Sequence, residues 1–152
     1  MRYRIAAVGR LRRGFYMDGC AHYLKRLQVF GRAEVREVKE GRGGGPEQVR
    51  LSEANALLSM TEGRLVALDE RGKSYRSTEL ARRLDELELA GESSLTLLIG
   101  GAEGLHDSVS EKCDERWSLS PLTLPHELAR LVLLEQLYRA ETIRSGHPYH
   151  RE

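Results

Sequence analysis

Short apolar runs alternate with segments of helical spacing along this chain, and that alternation limits the possible folds more than any other feature. The runs at residues 64–69 (RLVALD) and 94–99 (SLTLLI) are mostly apolar without strict alternation, which is typical of strands covered on both faces. Between such runs, apolar residues recur every three or four positions, as at Cys20, Tyr23 and Leu27. Strands separated by helices predict an α/β fold with a mainly parallel sheet and helices on both of its faces.

The same pattern, with the usual start and stop residues, divides the chain into ten elements. Strands are predicted at residues 3–8, 33–38, 64–69, 94–99 and 117–119. Helices are predicted at residues 15–27, between Pro46 and Met60, at 77–90 with Ser77 as the cap and Gly91 as the stop, at 109–115, and at 125–144. Nothing marks a second domain, so residues 1–152 are expected to form one domain, with the glycine-rich loop 41–46 as a candidate flap.

Composition argues against a membrane protein and favours a cytoplasmic one. The chain is 31% charged and 6% aromatic, and no apolar run approaches the roughly 20 residues that span a bilayer. The apolar stretch near the N-terminus is too short for a secretory signal. Cys20 and Cys113 lie far apart and form no Cys-x-x-Cys pair, so both are interpreted as ordinary thiols of a cytosolic chain.

The net charge of +1 provides no general attraction to nucleic acid, but basic residues cluster locally. Five arginines lie within the first 13 residues, and Arg139, Arg144 and Arg151 lie near the C-terminus. Such clusters bind phosphate in some proteins and form only a solvated face in others. The sequence leaves both interpretations open.

The last predicted helix is apolar almost all the way round (HELARLVLLEQLYRAETIR). One face of a sheet covers only one apolar stripe of a helix, so this helix needs a second partner. A two-fold contact with a second copy of the chain supplies one, and a homodimer is therefore expected. The alternative is a helix sandwiched between other elements of the same subunit.

The strand at residues 94–99 ends abruptly in Gly100, Gly101, Ala102, Glu103 and Gly104. Bare backbone at the carboxyl end of a parallel strand suits a ligand that packs closely against it, although a tight strand-to-helix turn has the same composition. The spacing is not G-x-G-x-x-G, and no Gly-Lys-Ser/Thr follows, which argues against dinucleotide and triphosphate loops.

A second candidate binding segment, SLSPLTLP, precedes the last helix. It alternates small polar and apolar residues, and its prolines stiffen the path and remove backbone donors. Such a loop presents backbone groups to the polar edge of a ligand and leucines to its flat faces. An adenine with an attached amino acid fits that description.

These segments carry a family resemblance. The strings LLIGGAEGL, SLSPLTLPHELARLVLLEQLYRA and HPYHRE, with AAVGRL near the start and LDERGK in the middle, resemble the RlmH family over the whole chain. These are ribosomal RNA large-subunit methyltransferases of the SPOUT class. The resemblance implies an α/β fold tied in a trefoil knot, which periodicity alone would not predict.

The resemblance further implies S-adenosylmethionine as the methyl donor, held in the knot without a metal. The residues that it places around this cofactor are Leu68, Gly100, Gly101, Leu119, Ser120, Pro121, Leu122, Thr123 and Leu124. The two glycines are expected to leave room that a Cβ atom would fill.

The acceptor implied by the resemblance is N3 of a pseudouridine in 23S ribosomal RNA, on the assembled ribosome. In the tail HPYHRE, His150 is the candidate base and Tyr149 and Arg151 are candidate substrate contacts. Arg139 on the last helix is a further candidate for catalysis or phosphate binding. Two classes of alternative remain: a noncatalytic RNA- or ribosome-binding protein that keeps the fold, and a dinucleotide-dependent oxidoreductase, which the missing glycine motif disfavours.

Overall fold

A computed structural model describes residues 1–151 and contains one five-stranded sheet. All strand pairs are parallel, and the spatial order is β2-β1-β4-β3-β5. The strands are β1 (Arg2–Val8), β2 (Ala33–Val38), β3 (Arg64–Ser74), β4 (Ser94–Ile99) and β5 (Glu115–Ser118). Because every strand runs the same way, the chain leaves the sheet five times at one edge, which we call the carboxyl edge.

Five helices connect and follow these strands. They are α1 (Gly14–Leu27), α2 (Pro46–Leu58), α3 (Ser77–Leu89), α4 (Asp107–Lys112) and α5 (His126–Ser145). None of the helices in the described part of the chain is long and apolar enough to cross a membrane.

Two apolar cores lie on opposite faces of the sheet. On β1, Ile5 and Ala7 pack in the core beneath α1, α3 and α5, whereas Ala6 and Val8 face α2 and α4. The two-residue side-chain period of a strand produces this division, and it explains why β1 is apolar on both faces from Ile5 to Val8. The prediction of a mainly parallel α/β sheet covered on both faces is confirmed.

Helix α5 lies against both α1 and α3 within one chain. Leu133, Leu134 and Leu137 are fully buried there, so internal packing accounts for much of the apolar surface that the sequence assigned to a dimer. Leu128 and Leu131, on the same helix, remain half-exposed.

Several predicted boundaries are wrong by a few residues. The helix expected at 109–115 is α4 at Asp107–Lys112, and the strand expected at 117–119 is β5 at Glu115–Ser118. Arg76, not Ser77, is the N-cap of α3: the Glu79 carboxylate accepts the Arg76 backbone N–H at 2.8 Å. Ser77 begins the helix and its hydroxyl donates to Gln136 of α5 at 2.7 Å.

Strand β3 runs five residues beyond its predicted end because it leaves the sheet and returns. Trp117 of β5 pairs with both Leu68 and Lys73, so residues 69–72 form an excursion from the ladder. At Gly72 a Cβ atom would lie 2.6 Å from the carbonyl carbon of Arg116, and only glycine fits where the strand comes back. Residues 69–73 (DERGK) are mostly charged, so apolar periodicity does not predict this continuation of the strand.

Candidate active site

A cleft of about 860 Å³ opens at the carboxyl edge, where the chain leaves β3, β4 and β5. Its volume lies within the range of roughly 300–1,000 Å³ that is typical of small-molecule sites. The sequence-predicted residues that line it are Leu68, Gly100, Gly101, Leu119, Ser120, Leu122, Thr123 and Leu124. Pro121 was predicted with them but does not line the cleft; it is exposed.

The cleft also contains residues that the sequence argument missed. They are Asp69, Glu70, Arg71, Ile99, Ala102, Gly104, Leu105, Pro125, His126 and Ala129. The signal for the first three was present, because they lie at the predicted end of β3 or directly after it, and ligands gather at the carboxyl ends of parallel strands.

The glycine turn after β4 is held by its own backbone. Gly104 has a positive φ of 81° and donates its N–H to the carbonyl of Gly101 at 3.0 Å. A Cβ atom on Gly100 would lie 2.6 Å from the carbonyl carbon of Gly104 and 2.8 Å from the nitrogen of Leu105. The reason given from sequence is therefore wrong for Gly100: a Cβ there would meet the turn, not a ligand.

Gly101 is restricted from behind by protein side chains. A Cβ atom there would lie 3.0 Å from Cγ1 of Val8 and 3.3 Å from both carboxylate oxygens of Glu53. The backbone of Gly101 thus faces the cleft, and the position of its missing Cβ atom faces the core. The expectation that a Cβ atom there would fill the space of the cofactor is therefore also wrong.

Glu53 of α2 is a buried carboxylate that sequence reasoning did not find. It is 5% exposed, and its Oε2 accepts the N–H of Gly41 at 3.0 Å. Its Oε1 has no hydrogen-bond partner among the described residues. The side chain connects the start of the glycine-rich loop 41–46 to the back of the Gly101 turn. No periodicity distinguishes this glutamate from solvent-exposed ones on other helices.

The leucine- and proline-rich loop forms the opposite wall. The Leu122 N–H donates to the hydroxyl of Ser120 at 2.9 Å, and the Ser118 hydroxyl donates to the Ser120 carbonyl at 2.9 Å. These bonds fix the loop while Leu122 itself stays 72% exposed. An exposed leucine on a stiff loop offers an apolar surface for a flat ligand.

The excursion from β3 makes a charged rim. Arg71 donates through its backbone N–H and its guanidinium to Asp69, and Thr123 donates to Glu70 at 3.1 Å. The hydrogen bond from the Arg71 side chain lowers the pKa of Asp69 from its ordinary value. The rim therefore carries an ionised carboxylate at neutral pH.

The C-terminal tail packs against α5 and α1 rather than extending into solvent. The Tyr149 hydroxyl donates to Glu135 at 3.0 Å, and its ring meets that of Tyr138 edge-on at 4.7 Å between centroids. The guanidinium carbon of Arg139 lies 4.8 Å from the centroid of the Tyr149 ring. Burial, followed by the hydrogen bond with Tyr23, raises the pKa of Tyr149, so the phenol stays protonated.

Arg139 connects the tail to the helix. It forms an ion pair with Glu135 at 2.6 Å and donates through Nη1 to Nδ1 of His150 at 3.1 Å. Since a guanidinium only donates, Nδ1 is the unprotonated nitrogen of the neutral ring in this arrangement. The structure thus brings Arg139, Tyr149 and His150 together, and leaves Arg151 exposed.

The cleft and the tail are separate within one chain. Helix α5 lines the cleft with His126 and Ala129, near its N-terminus, whereas Arg139 contacts the tail. Ala129 and Arg139 are separated by about 15 Å along the helix axis at 1.5 Å per residue. No described residue of the tail lines the cleft.

Comparison with known proteins assigns this arrangement to a family. The family model described as "Predicted SPOUT methyltransferase" matches residues 1–150. The chain belongs to the SPOUT methyltransferase family. Among curated SPOUT relatives, the ribosomal RNA large subunit methyltransferase H of Rubrobacter xylanophilus is 48% identical, over 98% of each chain. That of Pelotomaculum thermopropionicum is 44% identical, over 96% of each chain.

A solved structure supports the fold alone. The probable methylase family protein of Haemophilus influenzae matches with a TM-score of 0.56 at 12% identity, over 99% of this chain and 70% of the other. The SPOUT assignment confirms the family resemblance and the methyltransferase class. The trefoil knot remains a prediction.

The donor set of the cleft fits a nucleoside ligand with attached charged groups better than a metal. Its walls are backbone, leucines and small hydroxyls, and its rim carries Asp69, Glu70 and Arg71. Among residues 1–151, no group of three or more His, Cys, Asp or Glu side chains is placed to hold a metal ion. S-adenosylmethionine, with an adenine for the leucines and a sulfonium and an ammonium for the carboxylates of the rim, matches this combination.

Proposed function

We propose that this SPOUT methyltransferase transfers the methyl group of S-adenosylmethionine to N3 of a pseudouridine in 23S ribosomal RNA. The observation that carries the proposal is the near-full-length similarity to proteins named ribosomal RNA large subunit methyltransferase H, in a chain with a suitable cleft at the carboxyl edge. The proposed setting is the assembled ribosome in the cytoplasm, and residues 1–152 act as one domain.

The proposed cofactor site is the cleft. When bound there, S-adenosylmethionine supplies a methyl group already activated by the sulfonium. The backbone of Gly100 and Gly101 and the side chains of Leu119, Leu122 and Leu124 hold and orient it, together with Leu68, Ser120 and Thr123. Pro121 contributes by stiffening the loop. Holding the two reactants in line supplies much of the rate in such a transfer.

The tail is the proposed acceptor site. N3–H of the base lies between two carbonyl groups, so its proton has to leave as the methyl group arrives. His150 is the proposed proton acceptor, and because Arg139 occupies its Nδ1, the contact has to open before a proton can reach that nitrogen. The freed Arg139 and Arg151 then stabilise the anionic base or a phosphate. Tyr149 is the proposed stacking partner of the base.

A homodimer is proposed because one chain separates the two half-sites. Phe15 and Met17 of α1 are 64% and 51% exposed, and the half-exposed leucines of α5 lie on the helix that α1 contacts. An antiparallel contact through these helices would bring the tail of one subunit towards the cleft of the other. A two-fold axis does this without any rearrangement of the fold.

The decisive experiment is tritium transfer from labelled S-adenosylmethionine to purified ribosomes, followed by digestion and identification of the labelled nucleoside. N3-methylated pseudouridine is the expected product, and methylation of another nucleoside would overturn the assignment. Binding of ribosomes without any label transfer would favour a noncatalytic protein. Stabilisation against heat by NAD but not by S-adenosylmethionine would favour the oxidoreductase.

A further inference from the structure

Two loops at the carboxyl edge carry a concentration of basic side chains beside the cleft. Arg10, Arg12 and Arg13 lie in the loop after β1, and Lys39 and Arg42 lie in the loop after β2. All five are exposed. We call these five residues the basic strip.

The two loops of the basic strip are held side by side. The Gly9 N–H donates to the carbonyl of Val38 at 2.7 Å and extends the β1–β2 pairing by one step. The guanidinium of Arg12 then meets the carboxylate of Glu40 at 2.9 Å. The strip is therefore one surface and not two separate loops.

The basic strip borders the cleft from two directions. Strand β1 pairs with β4 up to Ala7 and Ile99, so the loop after β1 leaves the sheet next to the glycine turn. From the other side, Glu127 of α5 accepts the backbone N–H of Arg12 at 2.5 Å, and the neighbouring His126 lines the cleft. The Glu127 carboxylate therefore binds the backbone of the loop and not its arginine side chains, which face solvent.

The charge of the basic strip is largely unneutralised. Within residues 1–151, the salt bridge between Arg12 and Glu40 is the only one that a member of the strip makes within 4.0 Å. The arginines on the opposite edge of the sheet differ, since Arg4 pairs with both Glu34 and Glu62. Because the whole chain has a net charge of only +1, the rest of the molecule is net acidic.

We propose that the basic strip binds the phosphates of the RNA strand that enters the cleft, next to the nucleotide that is methylated. The inference rests on the proposed function, and it names the part of the surface that holds the RNA in place. A strand of phosphates is the partner that suits several exposed cations in a row. A second copy of this chain does not suit it, because a two-fold contact would bring like charges together.

The test compares two double variants in a filter-binding assay with protein-free, radiolabelled large-subunit rRNA over a range of KCl concentrations. R10Q/R13Q removes two charges from the basic strip. R32Q/R82Q is the matched control, since both residues are exposed and lie before β2 and on α3, away from the cleft. R10Q/R13Q should bind more weakly and reduce the slope of log K against log [KCl] by roughly 1.4 to 1.8, whereas the control should match the wild type.

Methyl transfer to ribosomes separates this inference from the proposed function. R10Q/R13Q should raise KM for ribosomes roughly tenfold at physiological salt and leave S-adenosylmethionine affinity unchanged. If the wild type methylates ribosomes and R10Q/R13Q has the same KM and salt slope, the basic strip is not an RNA site. The same conclusion follows if R10Q/R13Q changes the oligomeric state, measured by its sedimentation coefficient, but leaves KM and the salt slope unchanged. If R10Q/R13Q weakens RNA binding but the wild type methylates no nucleoside, the proposed function is wrong and the basic strip is still an RNA site.

Discussion

Gly100 has to be glycine because its own chain comes back against it. Its missing Cβ position is occupied by the backbone of Gly104 and Leu105, so the turn closes only without a side chain. The cleft then takes its shape from that closed turn. We therefore expect Gly100 to affect ligand binding through backbone geometry and not through free space around the α-carbon.

Gly100→Ala should therefore both destabilise the fold and weaken cofactor binding. A Cβ atom at 2.6 Å from backbone forces the turn open, and overpacking of this kind costs about 1–3 kcal/mol. S-adenosylmethionine affinity should fall about tenfold or more, equivalent to about 1.4 kcal/mol or more. Urea unfolding and calorimetric titration measure the two effects.

Gly14→Ala is the matched control for that substitution. Gly14 begins α1, and a Cβ atom at this position would have no neighbouring atom within 4 Å. The free energy of unfolding should therefore change by less than about 1 kcal/mol. Wild-type cofactor affinity in Gly100→Ala would contradict the view that the turn shapes the cleft.

Single residues divide into those that the sequence could reveal and those that it could not. The glycines and leucines of the cleft were found because they lie in two ordered motifs at strand ends. Glu53 was not found, since its burial behind Gly101 depends on α2 packing over the carboxyl edge. Pro121 was predicted to line the cleft through its position in the motif alone, and the loop turns it outward.

Glu115 joins three elements through one carboxylate. It accepts hydrogen bonds from Arg64 of β3 at 2.8 Å, from Arg83 of α3 at 2.9 Å and from the indole of Trp117 at 3.0 Å. Burial alone would raise its pKa, but the hydrogen bonds from Arg83, Trp117 and Arg64 outweigh burial and lower the pKa to about 2. The short edge strand β5 is fixed to the molecule by this cluster.

The stability of the protein should consequently fall in acid. A carboxyl with a lower pKa in the folded than in the unfolded state stabilises the fold above its unfolded value of 4.5. That stabilisation is lost as the pH falls through the folded value of about 2, a decrease of the order of 3 kcal/mol. Urea unfolding at a series of pH values should show it.

Glu115→Gln should remove most of that acid dependence and also lower stability at neutral pH. Glu86→Gln is the control, because Glu86 also binds Arg83 but is 55% exposed, and exposed pairs contribute little. An unchanged acid profile in Glu115→Gln would show that other carboxylates govern it.

The tail lies outside every strand and helix and can be removed as one element. Ending the chain after Gly146 deletes Tyr149 and His150 but keeps all of α5. Methyl transfer to ribosomes should be abolished, while S-adenosylmethionine affinity by calorimetry should be unchanged, because no described residue of the tail lines the cleft. Activity in the shortened enzyme would assign the chemistry to residues outside the tail.

The elements were predictable where apolar periodicity is strong and unpredictable where charge interrupts it. The long helices α1 and α5 and the central strand β4 match their predicted positions closely. The second half of β3 was missed because charged residues fill its excursion, and β5 was placed too late since it begins at Glu115. In both places the bounds of the strand are set by hydrogen bonding to a neighbouring strand, and the sequence of one segment does not show which strand that will be.

In the whole molecule, the distance between tail and cleft leads to a test of the dimer. A variant that ends after Gly146 keeps an intact cleft, and Gly100→Ala keeps an intact tail. If each working site combines a cleft from one subunit with a tail from the other, the shortened variant alone is inactive. Gly100→Ala alone has little activity when S-adenosylmethionine is kept well below its dissociation constant for that variant, and under the same condition a mixed dimer has one good site.

Co-expression of the two variants should therefore restore about one quarter of wild-type methyl transfer, because random pairing makes half of the dimers mixed. Sedimentation equilibrium of the wild type gives the oligomeric state independently. A monomer in solution, or no recovery in the mixture, would contradict the shared site.

The order of the strands, β2-β1-β4-β3-β5, lay beyond the sequence argument. Alternating strands and helices predict a parallel sheet, but they do not say which strand lies in the centre. The family resemblance provided the implied knot, the cofactor and the acceptor, and physical reasoning from the residues provided the class of fold and the edge at which to search.

The excursion at residues 69–72 has a consequence for how such enzymes diversify. Because β3 returns to Trp117, the partner it left, residues can be exchanged or inserted between Leu68 and Gly72 without shifting the register on either side. Asp69, Glu70 and Arg71 line the cleft, so we expect substitutions there to change what the cleft binds more than they change the sheet. Gly72 is the position of the segment that does not accept a side chain, since the backbone of Arg116 occupies the space of a Cβ atom.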